Sequence, residues 1–98
     1  MDVELEELTP VGRGAVSVLR VRGNDAERLV RELGGPDLRP GAARLARLRL
    51  SGEDLDEAIV CRLPDGGFEL HLHGSPVLLA RVACARHAAA RHRRTTLR

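Results

Sequence analysis

Phe68-Glu69-Leu70-His71-Leu72-His73-Gly74-Ser75-Pro76, continuing into Val77-Leu78-Leu79-Ala80, decides how the rest of the chain is read. Phe68, Leu70 and Leu72 alternate with Glu69, His71 and His73, so an extended strand buries one face and sets three ionisable side chains on the other. Gly74 frees the backbone to turn, Ser75 suits the cap of a new helix, and Pro76 suits its first turn. Open N–H groups at such a helix start attract anions. The stretch therefore predicts strand, tight turn and helix, with a candidate ligand site beside Glu69 and His73.

Working outward, the closing helix is predicted over residues 76–93, with Leu78, Val82, Ala85 and Ala89 as its apolar stripe. Upstream, Pro64-Asp65-Gly66-Gly67 reads as a tight turn, preceded by a strand over residues 57–63. The segment Ala42-Ala43-Arg44-Leu45-Ala46-Arg47-Leu48-Arg49-Leu50 has helix-forming residues but strand length. A turn over residues 51–54 and the strand beyond it favour a hairpin, and so strand on both sides. Ala26, Leu29, Val30 and Leu33 fall on one helical face, opened by Asn24 with Glu27 three positions on and closed by Gly34-Gly35-Pro36. Arg28 and Arg31 lie on that helix's polar face.

Residues 15–21 are β-branched and apolar on both faces, as a central strand requires, yet Arg20 interrupts them. A charge there needs a carboxylate, a ligand or solvent. Val3 and Leu5 alternate with Asp2, Glu4 and Glu6, which predicts a short first strand, ending before Thr9-Pro10, with an acidic exposed face. Thr9-Pro10-Val11-Gly12-Arg13-Gly14 is then a loop. The predicted order is β-β-α-β-β-β-α: one α+β domain with a single sheet of about five strands and two helices, folded over residues 1–94 with a basic tail at 95–98.

Composition narrows the function classes. The chain has 98 residues and a formal net charge of only +2, so it is no polycation, and its basic residues are all arginine. Arg86, His87, Arg91, His92, Arg93, Arg94 and Arg98 crowd the C-terminal end, where basic residues favour the last turns of a helix. Phe68 is the one aromatic residue, which leaves no platform for stacking single-stranded bases. Cys61 and Cys84 do not make a zinc-ribbon spacing and read as reduced core thiols. The start is acidic and no apolar run is long enough to span a bilayer, so the expectation is a cytoplasmic protein.

Four ordered blocks carry a resemblance. Thr9-Pro10-Val11-Gly12-Arg13-Gly14-Ala15, Val18-Leu19-Arg20-Val21-Arg22-Gly23, Leu55-Asp56-Glu57-Ala58 and Glu69-Leu70-His71-Leu72-His73-Gly74-Ser75-Pro76-Val77 resemble the N-terminal domain of the TrmE (MnmE)-type tRNA-modification GTPases. The likeness spans residues 3–82. It implies an α+β fold like the folate-binding domain of aminomethyltransferases, a homodimer, and binding of a one-carbon tetrahydrofolate in the 5-formyl or 5,10-methylene form. It implies folate contacts at Arg20 and Glu69, with His73, Gly74 and Arg13 completing the binding set. It also implies a link to wobble-uridine modification of tRNA, in which a GTPase domain or chain and a flavoprotein take part.

The chain departs from the family pattern in places. The long loop before the glutamate strand is Pro64-Asp65-Gly66-Gly67 here, Ser75 stands for a glycine, Arg22 for a serine and Val11 for a proline. No phosphate-binding G-x-x-x-x-G-K-[ST] motif occurs and no nucleophile has an adjacent base, so catalysis by this chain alone is not expected. Three other readings compete: a degenerate dimerising or protein-interaction module that no longer binds folate, a metal site from His71, His73 and Glu69, and tRNA contact through the basic C-terminal helix.

Overall fold

A computed structural model of the chain describes residues 2–10, 17–50, 52–72 and 90–97. Its described elements are β1 (Val3–Pro10), β2 (Ser17–Arg22), α1 (Ala26–Glu32), β3 (Ala43–Leu50), β4 (Glu53–Arg62), β5 (Phe68–Leu72) and β6 (Ala90–Leu97). The strands form one sheet in the order β3-β4-β5-β2-β1-β6. Neighbours are antiparallel except β1 and β6, which run parallel. The α+β class holds, with six strands and, among the described residues, one helix.

Strict alternation builds the core. Phe68, Leu70 and Leu72 on β5, Leu19 and Val21 on β2, Val3 and Leu5 on β1, Ala58 and Val60 on β4 and Leu48 on β3 are buried together. Helix α1 packs Ala26, Leu29 and Val30, followed by Leu33, onto them, as its 3.6-residue stripe predicts. The ambiguous segment at 43–50 is strand, because β4 supplies its antiparallel partner.

The helix starts one residue later than Asn24 predicts. Asp25 is the N-cap, without a side-chain cap bond. Its carboxylate instead accepts the Asp2 N–H at 2.6 Å, and the Asp25 N–H donates to the Asp2 carbonyl at 3.0 Å. The Asp2 carboxylate accepts the Asn24 N–H at 3.1 Å. This stapling of the chain start to the helix start replaces the capping box, and Glu27 pairs with Arg31 at 3.2 Å. Gly23 turns the corner at φ +116°, and a Cβ there would collide with the Asp2 carbonyl oxygen.

Two predicted features are corrected. Residues 90–93, assigned to the closing helix, and residues 95–97, assigned to a basic tail, belong to β6; residues 76–89 lie outside the described residues. The backbone register sets Glu4, Glu6 and Glu7 of β1 opposite residues 91, 93 and 94 of β6, and β1 gains a second ladder. The acidic face of β1 is not fully solvent-exposed either: Asp2 is exposed and Glu4 partly so, but Glu6 on that face and Glu7 on the other are buried. Glu6 and Glu7 are buried, 8% and 2% exposed, because β1 is an inner strand and not an edge.

Candidate functional site

The sheet face turned away from α1 carries the chemistry. Registers place Glu6 opposite Arg20, Arg20 opposite Glu69, and Glu69 opposite Cys61, so these side chains form one row across β1, β2, β5 and β4. Beside it runs an apolar row broken by one imidazole: Leu8, Val18, His71, Ile59 and Leu45, each opposite the next. The polar row meets the requirement that Arg20 set on its own strand, since a guanidinium on a central strand finds carboxylates on both neighbours.

Arg20 Nη2 and Nε both donate to Glu69 Oε2, at 2.9 and 3.2 Å. Arg20 Nη1 lies 3.7 Å from Glu6 Oε1. The pair is mostly buried, with 27% of the Arg20 side chain and 20% of that of Glu69 exposed. Charge-assisted bonds in such partly dry surroundings are stronger than their surface counterparts. The second carboxylate oxygen, Glu69 Oε1, faces His71 Nε2 at 3.5 Å. That nitrogen is buried and makes no hydrogen bond, so the two groups are neighbours without a bond between them.

Cys61 is the third neighbour of Glu69. It is only partly buried and lies on this polar face, not in the core where the sequence reading put it. Partial burial, and secondarily the Glu69 charge, raise its thiol pKa, which makes it a protonated and sluggish nucleophile at neutral pH.

A cleft of about 510 Å³ opens at the end of the sheet, between the β2–α1 corner and the β4–β5 turn. Arg22, Asn24, Glu27, Arg62 and Asp65 line it, with backbone from Gly66 and Gly67. Arg22 pairs with Asp65 at 3.3 Å, so the arginine that replaces the family's serine is held by the shortened turn. Arg62 donates to the Leu38 carbonyl at 2.6 Å and lies over the Phe68 ring at 5.8 Å from its centroid.

Of the predicted binding residues, the fold brings Arg20 and Glu69 into direct contact, while Arg13, His73 and Gly74 lie outside the described residues. Among the described residues, no cluster of three or more His, Cys, Asp or Glu side chains has a metal-holding arrangement. Residues 90–93 do not form the basic helix on which the tRNA-contact reading rested. No described helix is long and apolar enough to cross a membrane. Glu6 and Cys61 are not anticipated as members of the site, and His71 is anticipated on this face only as a metal ligand. Glu6 had a sequence signal: Glu4 and Glu6 mirror Arg22 and Arg20 about the link at residues 11–16, which is the charge pattern of a hairpin pairing across that link.

This is an α+β sheet domain with a row of charged side chains on the sheet face away from α1. No family model matches the chain. It is 39% identical over 92 residues to the tRNA modification GTPase MnmE of Paracoccus denitrificans, covering 87% of this chain and 22% of that protein. It is 39% identical over 82 residues to the MnmE of Halorhodospira halophila (76% and 18%) and 32% identical over 83 residues to that of Coxiella burnetii (78% and 18%). The chain is an N-terminal-domain-like relative of the MnmE tRNA modification GTPases, spanning about a fifth of the length of the curated relatives it matches.

Proposed function

We propose that this chain binds a one-carbon tetrahydrofolate on the Arg20–Glu69 row, dimerises, and serves the modification of the tRNA wobble uridine alongside a separate GTPase or flavoprotein. The observation that carries this reading is the Arg20–Glu69 pair itself, held in register on central strands of a chain similar to MnmE. The donor set suits a pterin. Arg20 occupies one oxygen of Glu69, while the other accepts no hydrogen bond from the described residues and lies 3.5 Å from the orphaned His71 nitrogen. A carboxylate so placed accepts neighbouring N–H groups of a pterin ring, and a guanidinium suits its acceptor edge or the anionic tail of folate. When bound, the folate supplies the carbon unit; the protein's side chains bind and orient it. His73, Gly74 and Arg13 are expected to complete the site.

Calorimetric titration with 5-formyl-tetrahydrofolate tests this, with Arg20→Ala and Glu69→Ala as controls. Saturable binding lost in both variants supports a folate domain. Absence of heat up to millimolar ligand supports the second reading, a dimerising scaffold without a cofactor, which the mutual pairing of Arg20 and Glu69 favours.

A further inference from the structure

β3 is a terminal strand of the sheet among the described residues, and its free edge has a defined length. The Arg62 N–H donates to the Ala42 carbonyl, so Ala42, and by alternation Arg44 and Ala46, turn their backbone groups toward β4. Ala43, Leu45 and Arg47 therefore turn theirs outward. The outward series stops at Arg49, whose N–H is bonded to the Leu33 carbonyl at 2.7 Å, next to a register shift between Leu48 and Arg49. Among the described residues the open edge is thus residues 43–47, and Leu45 is its centre. Leu45 is 57% exposed, beside Ile59 at 43% on β4, and these are the exposed large hydrophobic residues of the described chain.

We propose that a second copy of this chain pairs antiparallel with the β3 edge, with the two-fold axis at Leu45. The proposal rests on the dimer reading above and names its surface. Only this register engages every outward-facing residue: Ala43 with Arg47 of the second copy, Leu45 with its own equivalent, and Arg47 with Ala43. Charge selects the same register. Each arginine of the edge then faces an alanine, since Arg44 meets Ala46 and Arg47 meets Ala43, whereas an axis at Arg44 or at Arg47 sets identical arginines opposite each other. Opposite Arg49, where the Leu33 carbonyl closes the edge, the second copy presents Gly41, around which no atom stands where a side chain would be. The pairing joins Ile59 and Leu45 of both copies into one apolar stripe and removes a strand edge that is otherwise open to unspecific pairing. The arginines that blunt the edge toward other strands are thereby the ones that fix its own register.

Sedimentation equilibrium of the full chain and its variants at position 43 tests the register. Ala43→Glu sets a carboxylate opposite Arg47 at two symmetry-related places and should tighten the dimer by on the order of tenfold; Ala43→Arg should weaken it comparably. Leu45→Pro, whose missing N–H points outward at an edge where the monomer tolerates it, should weaken the dimer by more than about tenfold with unchanged circular dichroism. A dimer whose dissociation constant ignores all of these changes overturns the edge while leaving dimerisation through another surface in place. A monomer at every concentration overturns the edge and the dimer reading together, leaving the folate titration to stand or fall separately.

Discussion

Arg20 on β2 and Glu69 on β5 face each other across adjacent strands, and two guanidinium nitrogens of Arg20 converge on the single oxygen Oε2 of Glu69. Glu6 approaches the same guanidinium from β1 at 3.7 Å, so one cation stands between two carboxylates on a mostly buried face. The arrangement ties the site to the stability of the sheet. Removing the cation takes a shared partner from two mostly buried carboxylates, whereas removing one carboxylate leaves the cation a second partner.

Arg20→Ala is therefore expected to destabilise the protein more than Glu69→Gln does. Losses of about 2–3 and about 1 kcal/mol are expected, respectively. Urea denaturation of both variants and the parent measures this. Equal losses would show that Glu6 does not share the arginine.

Cys61 gives the fold an alkaline slope. Its thiol pKa is raised in the folded protein, so the folded state holds the proton more tightly than the unfolded chain. The contribution is full below the ordinary value of 9.0 and is lost as pH rises through the raised folded value. Stability of the parent should fall between pH 9 and more alkaline solution, and Cys61→Ala should flatten part of that fall. Because the Glu69 charge is one cause of the shift, Glu69→Gln should also speed the reaction of Cys61 with a disulfide reagent, measured against Cys61→Ala for background.

How far the sequence announces this molecule depends on the range of the interactions. Phe68, Leu70 and Leu72 alternate with Glu69 and His71, and Ala26, Leu29, Val30 and Leu33 repeat at helical spacing; both patterns are local and both elements form as read. β6 has no such pattern. Its Arg-His-Arg-Arg run is too charged to alternate, and it becomes strand through parallel pairing with a β1 that lies far away in sequence. That pairing also buries Glu6 and Glu7, which reads as solvated when β1 is taken for an outer strand. Arg20 and Glu69 are legible as candidate site residues through family resemblance. Their contact, with Cys61 and His71 beside it, arises from sheet register, which no single strand encodes.

Gly23→Ala should unfold the β2–α1 corner. The residue needs φ +116°, and its Cβ would meet the Asp2 carbonyl oxygen that accepts the Asp25 N–H. A loss of at least about 1–2 kcal/mol is expected by thermal denaturation, equivalent to roughly 4–16 °C for a domain of this size. A change within about 0.5 kcal/mol would mean that the staple between Asp2 and Asp25 contributes little.

Arg22→Ser separates the cleft from the fold. The Arg22–Asp65 pair is exposed, with 47% and 58% of the two side chains open to solvent, so its loss should change stability by no more than about 0.5 kcal/mol. The substitution removes a long side chain from the lining of the cleft and from the strand position two residues beyond Arg20, on the same face. If that side chain stands in the way of a ligand reaching the Arg20–Glu69 row, affinity for 5-formyl-tetrahydrofolate rises in the variant while Arg20→Ala in the same background abolishes it. If Arg22 instead helps to hold the ligand's anionic tail, affinity falls and becomes less sensitive to salt, because one charge-assisted contact has been lost. The expected result is the first, since Asp65 already engages the Arg22 guanidinium and competes with a ligand's anionic tail for it, and calorimetry at two salt concentrations distinguishes the two outcomes.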